Sequence, residues 1–419
     1  MNENSTSQVE ISRRRLLGTV GAAGAAGLAI GAAGGAVAHA STADDPATAL
    51  TTVGSTEVMF HGKHQPGITT PLQSRGHLIA FDLAAAAGPA AARKDAIALM
   101  RRWSVTASRL MAGKPAADGD TGIALDAGPS SLTVTFGFGR TFFGRTGLAA
   151  QRPAALDPLP AFSSDQLDPR RSEGDLWVQI GANDGLVAFH ALRAIQKDAG
   201  KAARVRWQMN GFNRSPGATA HPMTARNLMG QVDGTRNPKP SEPDFDQRIF
   251  VPAEGRPGWM AGGSYAVVRR IRMLLDNWER LSVPEQEQVI GRRKSDGAPL
   301  TGGSETTELD LDKTGPDGKL IVADNAHARI SAPEQNGGAA MLRRPYSFHD
   351  GIAADGTPDA GLLFICWQAD PLKGFVPVQR KLDRGDALST FIHHESSGLF
   401  AVPGGPESGE YVGQRLLES

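Results

Sequence analysis

One cysteine in 419 residues, Cys366, excludes an intramolecular disulfide. Charge of one sign is also missing as an excess: 44 Lys and Arg balance 44 Asp and Glu, for a formal net charge of +0. No bulk attraction to nucleic acid or to an anionic membrane follows, so no nucleic-acid partner is expected. There is no HExxH, no H-x3-H pair and no cysteine cluster, which leaves a zinc centre without support. The absence of a G-x-S-x-G elbow and of a phosphate-binding P-loop removes two further common chemistries. Cys366 lies in the apolar run LLFICWQ and reads as a buried small hydrophobe rather than a nucleophile. What is present describes a globular chain long enough for two or more domains, with 40% hydrophobic residues, 50 glycines and 27 prolines.

Residues 1–40 differ in kind from the rest. An arginine cluster, Arg13 to Arg15, precedes an uncharged stretch from Leu16 to Val37 and a small-residue end with Ala38 and Ala40 in an A-x-A pattern. This is the pattern of an export signal. The run SRRRLL fits the twin-arginine type through Arg13 and Arg14, so the twin-arginine export machinery is an expected partner. The uncharged stretch is long enough to span a membrane, but its glycine content and A-x-A end favour cleavage. An extracellular or periplasmic, cell-envelope location is expected. Residues 41–57, polar and rich in Ala and Thr, read as a flexible tether.

Hydrophobic periodicity then sets out the mature fold. GHLIAFDL predicts a strand, and residues 91–111 a helix with Ile97, Met100, Ala107 and Met111 on one face and Gly113 as its stop. SLTVTFGFG and DLWVQIGAN alternate as strands, a helix follows over about 185–202, and RVRWQMNGF is a further strand. The second half repeats the order. SYAVVRRIRML predicts a strand, a helix capped by Ser282 with Glu285 ends at Gly291, AMLRRPYSF and GLLFICWQ are strands, FVPVQRKLDRGDALSTFI is a helix and SSGLFAVP the last strand. Two β-α-β-β-α-β units predict an α+β protein of two ferredoxin-like halves, each an antiparallel sheet with helices on one face, over 58–215 and 216–419. An insertion from Arg292 to about Ala340 is too long for a structureless loop unless it is functional, and it holds His327.

Asp233 lies between Gly230 and Gly234 in NLMGQVDGTRNP, a carboxylate on a glycine-rich turn. With GQVDG as its G-x-x-D-G motif, the chain resembles the dye-decolourising (DyP-type) heme peroxidases, and within them the exported subfamily that includes the heme deferrochelatase/peroxidase of bacterial iron uptake. HGKHQPGI, GSYAVVRRIRM, WERLSVPEQEQVIGRRKSDGAPL, DNAHARI, MLRRPYSF and SSGLFAVPGG match further, in order, over nearly the whole mature chain. The resemblance implies two ferredoxin-like halves with one heme b per chain in the C-terminal half, buried between two sheets. It implies an enzyme that reduces hydrogen peroxide and oxidises dyes, phenols or other one-electron donors through a ferryl intermediate. The alternative is a deferrochelatase that releases iron and leaves the porphyrin intact. The oligomeric state stays open, a homo-oligomer included.

The resemblance also assigns roles. His327 is implied as the proximal ligand of the heme iron, with Asp386, in the helix KLDRGDALSTF, as candidate acceptor for its other ring nitrogen. Asp233 and Arg343 are implied on the distal side, the carboxylate as mobile acid/base and the guanidinium as fixed positive charge. A carboxylate base also predicts activity favouring acid. Arg344 is the rival of Arg343, but neighbours in a strand face opposite ways, so only one of them reaches the pocket. The backbone N–H groups of Gly234 and Thr235, with the Arg236 side chain, are candidate propionate donors. Leu362 and Phe364 are the expected dry wall, with Leu363 as alternative. Trp259, Tyr265, Trp278, Tyr346 and Trp367 are candidates for carrying electrons to the surface. Two departures from relatives stand near the site: Gln231 where Phe is frequent, and Pro345 where some subfamilies carry Asn.

Overall fold

The computed structural model describes residues 51–419, except 118, 220–222 and 255–256. The expected signal peptide, residues 1–40, and most of the expected tether lie outside the described residues. The tether's last residues do not hang free: Thr52–Ser55 is a helical turn, and Ser130 and Ser131 donate backbone hydrogen bonds to the carbonyls of Gly54 and Thr56. The fold therefore begins a few residues before 58.

The strands among the described residues are β1 (Arg75–Leu83), β2 (Thr133–Gly139), β3 (Leu176–Ala182), β4 (Ala203–Phe212), β5 (Ser264–Met273), β6 (Leu342–Arg343), β7 (Tyr346–Ile352), β8 (Pro358–Gln368) and β9 (Ile392–Val402). The helices used below are α1 (Pro89–Met111), α2 (Gly185–Ala199), α3 (Val283–Ile290), α4 (His327–Ile330) and α5 (Phe375–Gly385). β2, β3, β1 and β4 form one antiparallel sheet in that order, and β9, β5, β8 and β7 the other. In each, the first and third strands of the four occupy the centre, the arrangement of a ferredoxin-like unit. The duplicated fold expected from the strand order is the one observed. Short pairings, Phe138 with Ala401 and Phe212 with Ser347, join the two sheets at both edges.

Period-two alternation decides what each face meets. Along β8, Leu363, Ile365 and Trp367 point to the space between the sheets and join Leu78, Trp177 and Phe400 there. Trp177 stacks on Phe400 at 5.4 Å and packs against Trp367 at 5.9 Å, so the space between the sheets is filled with side chains. The other face of the N-terminal sheet, including Ile79, Phe136 and Val178, packs on α1 and α2 through Leu99, Trp103 and Leu192. Cys366 points to this outer core, fully buried, and burial pushes its thiol well above the usual range. It is the inert small hydrophobe expected.

Three elements differ from expectation. AMLRRPYSF is not one strand: β6 and β7 are separated at Arg344 and Pro345, because proline has no N–H to donate to a ladder. The helix expected over FVPVQRKLDRGDALSTFI stops at Gly385, and a separate helical turn runs from Ala387 to Phe391. β9 accordingly starts at Ile392, ahead of SSGLFAVP. The capping box of α3 is present, with Ser282 N donating to the Glu285 carboxylate at 2.7 Å and Gly291 closing the helix at φ 89°.

Candidate functional site

β5, β8 and β9 present alternate side chains, among them Arg269, Leu362, Phe364 and His394, to a cavity on the outer face of the C-terminal sheet. α4 and α5 line the same cavity, with His327 on the first and Phe375, Val378 and Leu382 on the second. The expectation of a pocket between the two sheets is corrected, since that space is packed solid. Every site residue expected from the sequence lines this one cavity. Leu363, the alternative wall residue, faces the inter-sheet core instead.

Asp233 is carried by a loop that folds back on itself. Arg226 and Val232 form an antiparallel bridge, and Asp233 N donates to Ala225 O at 2.8 Å. Gly230 and Gly234 have φ of 79° and 130°, a region that residues with a Cβ rarely adopt, so the motif's two glycines are demanded by the turn. Arg226 Nη1 holds the loop from below by donating to Gly230 O at 2.8 Å and Lys294 O at 2.6 Å. The Asp233 carboxylate accepts from Arg343 Nη1 at 3.1 Å and, more weakly, from Asn227 Nδ2 at 3.4 Å.

Arg343 and Arg344 point opposite ways. Arg344 is buried and donates to the carbonyls of Gly67 and Pro71 and to Gln73 Oε1, so it fastens the N-terminal half to the sheet. It is neither a surface charge nor a residue of the cavity.

His327 Nδ1 and Asp386 Oδ2 are 2.7 Å apart, although 59 residues separate them. Asp386 stands after the end of α5 rather than inside it, and its Oδ1 accepts from Leu388 N at 3.0 Å as the cap of the next turn. Ala387 N donates to Asn325 O at 3.0 Å, tying the two segments together. Burial works against protonation of His327, but the charge and hydrogen bond of Asp386 outweigh it and hold the ring above its ordinary basicity. With Nδ1 engaged, Nε2 is the nitrogen left for another partner.

Of the expected propionate donors, the Arg236 side chain is engaged elsewhere in this structure, as is the hydroxyl of Thr235, whose backbone N–H was the expected donor. Thr235 Oγ1 donates to Glu305 at 2.9 Å, and Arg236 pairs with Glu308 at 3.0 Å and Glu334 at 2.7 Å. Three basic or titratable residues of the cavity were not singled out from the sequence: Arg269, Arg292 and His394. Arg269 is fully buried and paired with Asp165 through Nη2, which leaves Nε and Nη1 without partners. Arg292 Nη2, His394 Nδ1 and Gln231 Nε2 are likewise buried and unpartnered. Burial, then the charge of Arg269, push His394 down to about 3, so it is a neutral imidazole. Two arginines in the middle of the apolar strand SYAVVRRIRML were the available signal, because an interior cation demands a partner. His394 is a strand residue on β9 that faces inward.

These features suit a heme. The macrocycle needs apolar walls, which Ile271, Met273, Leu362 and Phe364 provide, and its carboxylates need buried donors, which Arg269 and Arg292 hold in reserve. Its iron needs a nitrogen on a ring anchored from behind, and Asp386 anchors His327 through Nδ1, leaving Nε2 for the metal. The aromatic residues considered for electron transfer do not form a surface path: Trp259, Tyr265, Trp278, Tyr346 and Trp367 are each less than a tenth exposed.

Comparison with known proteins agrees with this geometry. Residues 65–213 match the family model described as Dyp-type peroxidase, N-terminal, and residues 224–407 that described as Dyp-type peroxidase, C-terminal. A dye-decolorizing peroxidase of Thermobifida fusca is 43% identical over the full length of both chains. A deferrochelatase of Escherichia coli is 36% identical over 97% of each. Among solved structures, ferric DtpA from Streptomyces lividans is 75% identical, with a TM-score of 0.85 over 90% of this chain and all of that one. A DyP-type peroxidase from Streptomyces coelicolor, also 75% identical, superposes with a TM-score of 0.86 over the same shares. With both halves matched in order and relatives alike from end to end, the chain belongs to the DyP-type peroxidases and is a heme-dependent peroxidase.

Proposed function

We propose that this chain is an exported peroxidase that reduces hydrogen peroxide and oxidises dyes, phenols or other one-electron donors. In this reading His327 holds the iron and Asp233 moves the proton. One observation carries it: the His327–Asp386 pair and the Asp233–Arg343 pair line the same cavity, close enough for the charges of Asp233 and Arg343 to act on His327. When bound, the heme supplies the redox chemistry, passing two electrons to the peroxide and recovering them singly from reductants.

The chain's own residues handle the protons and the charge. Asp233 takes the proton from the inner oxygen of hydrogen peroxide at its carboxylate and delivers it to the outer oxygen, which leaves as water. Arg343, 3.1 Å from that carboxylate, is fixed positive charge for the oxygen that becomes negative as the O–O bond lengthens. Leu362 and Phe364 keep an apolar wall beside them, where charge interactions are stronger than in water. Asp386 keeps the Nδ1 proton of His327 in place, so that Nε2 presents its lone pair.

The test is an optical spectrum of the purified protein before and after one equivalent of peroxide. A Soret band that changes at once on mixing and returns on adding a phenol or dye is expected; an unchanging band removes the proposal. Release of iron from heme with the porphyrin intact would use the same cavity. Porphyrin fluorescence that grows on incubation with heme, without peroxide, would favour that activity instead.

Export rests on Arg13, Arg14 and the uncharged stretch that follows, all outside the described residues. Replacing Arg13 and Arg14 together by Lys is expected to leave the protein inside the cell and its signal uncleaved. Export undiminished in that variant would rule out the twin-arginine route.

A further inference from the structure

Arg343 stands on a strand of two residues. One edge of β6 pairs with β8, Arg343 opposite Cys366. Among the described residues its other edge receives no strand. Pro345, two positions on, has no N–H with which to extend a ladder. A long, flexible side chain on so short an edge strand has little reason to hold one orientation.

The amide of Asn237 takes the place of the missing strand. Its Nδ2 donates to Arg343 O at 2.7 Å and its Oδ1 accepts from Arg343 N at 3.1 Å, the two bonds that a neighbouring peptide would make. Oδ1 also accepts from Arg343 Nε at 3.3 Å, which sets the plane of the guanidinium. Nη1 of that guanidinium then meets Asp233 Oδ1 at 3.1 Å. Asn237 belongs to the turn that starts directly after Asp233, closed by Asn237 N donating to Gly234 O at 3.0 Å. The loop that carries the carboxylate therefore also grips the arginine facing it, by backbone and by side chain at once.

We propose that Asn237 is a positioning residue, which clamps Arg343 by backbone and Nε so that its guanidinium meets Asp233 in one geometry. The inference rests on the role proposed above for Arg343. No other side chain of this size supplies both halves of the clamp: an aspartate keeps the acceptor and loses the donor to Arg343 O, and an alanine loses both.

The test uses the holoenzyme as wild type, Asn237→Ala, Asn237→Asp, Arg343→Leu and the double variant Asn237→Ala/Arg343→Leu. Stopped-flow mixing with peroxide is expected to show a rate constant about tenfold to hundredfold lower in Asn237→Ala, the size of effect that a misplaced catalytic group produces. Asn237→Asp should fall between that and wild type, and the KM for the reductant should not move. In the Arg343→Leu background, Asn237→Ala should cost less than about twofold, since coupled residues are not additive. Fluoride, an anionic hydrogen-bond acceptor that binds ferric heme with a visible spectral change, should bind more weakly in Asn237→Ala than in wild type, and equally in Arg343→Leu and the double variant. In heme-free protein, hydrogen exchange at the Arg343 amide should be faster in Asn237→Ala, with the amides of β8 unchanged. Should Asn237→Ala fail to fold, Asn237→Asp in both backgrounds carries the same comparison. Equal fold-losses in the two backgrounds, or a wild-type rate in Asn237→Ala while Arg343→Leu is slow, would overturn the clamp. An Arg343→Leu variant as fast as wild type would instead overturn the role of Arg343 itself.

Discussion

Asp233→Ala should bind heme as the wild type does and react with hydrogen peroxide about a hundredfold to ten-thousandfold more slowly, the range contributed by a positioned general base. Among the described residues the carboxylate accepts hydrogen bonds from Arg343 and Asn227 alone and does not hold its own loop, which is closed by backbone bonds of Asp233 N and Asn227 N. Its removal therefore leaves the cavity standing and takes away one proton acceptor. Arg343→Leu should slow the same step by about a hundredfold to a thousandfold, as loss of one charge-stabilising donor does. The double variant should be little slower than Asp233→Ala alone, because residues that act as a unit do not add. Soret absorbance establishes equal heme content, and stopped-flow traces give the rates. Peroxide reacting at wild-type speed with both single variants would remove the proposed chemistry.

The second large effect is on the cofactor. His327→Ala should weaken heme binding by more than the about tenfold to hundredfold that loss of an outer partner costs, because it removes the proposed ligand itself. It should also destabilise the heme-free protein. Asp386 is nearly buried, and its Oδ2 has His327 as its partner. Stripping one member from a buried ion pair costs about 3–5 kcal/mol. The His327 side chain keeps 28% of its surface in a residue that lines the cavity, and its ring also partners Asp386, so the substitution acts twice. The ratio of Soret to protein absorbance after purification, with thermal melting of the heme-free form, reads both effects. Imidazole added to the growth medium should restore part of the heme content by filling the space left by the ring. Wild-type heme content and an unchanged ferric spectrum in His327→Ala would show that another residue holds the iron.

Much of this molecule follows from local pattern. The alternation in SLTVTFGFG, DLWVQIGAN and GLLFICWQ determines which face of each strand is apolar, and with helix signals between them it is enough for two ferredoxin-like units. Gly230 and Gly234 mark a turn that only glycine suits, while the carboxylate between them is singled out by the resemblance that GQVDG carries. The alternation rule also says that Arg343 and Arg344 part company, which they do.

The alternation does not say which arginine goes where: the resemblance assigned Arg343 to the pocket, and the partners that hold each one were decided only in three dimensions. Arg344 is claimed by carbonyls of Gly67 and Pro71 in the opposite half, and Arg343 by Asp233 and Asn237, contacts that span more than a hundred residues of chain. The pocket's position on the outer face, the exit of Asp386 from α5 and the burial of Arg269 and His394 belong to the same class. Periodicity is a property of neighbours, written in a window of a few residues. A cavity is made by elements that loop closure and packing bring together, and no local window records which buried cation will be left without a partner.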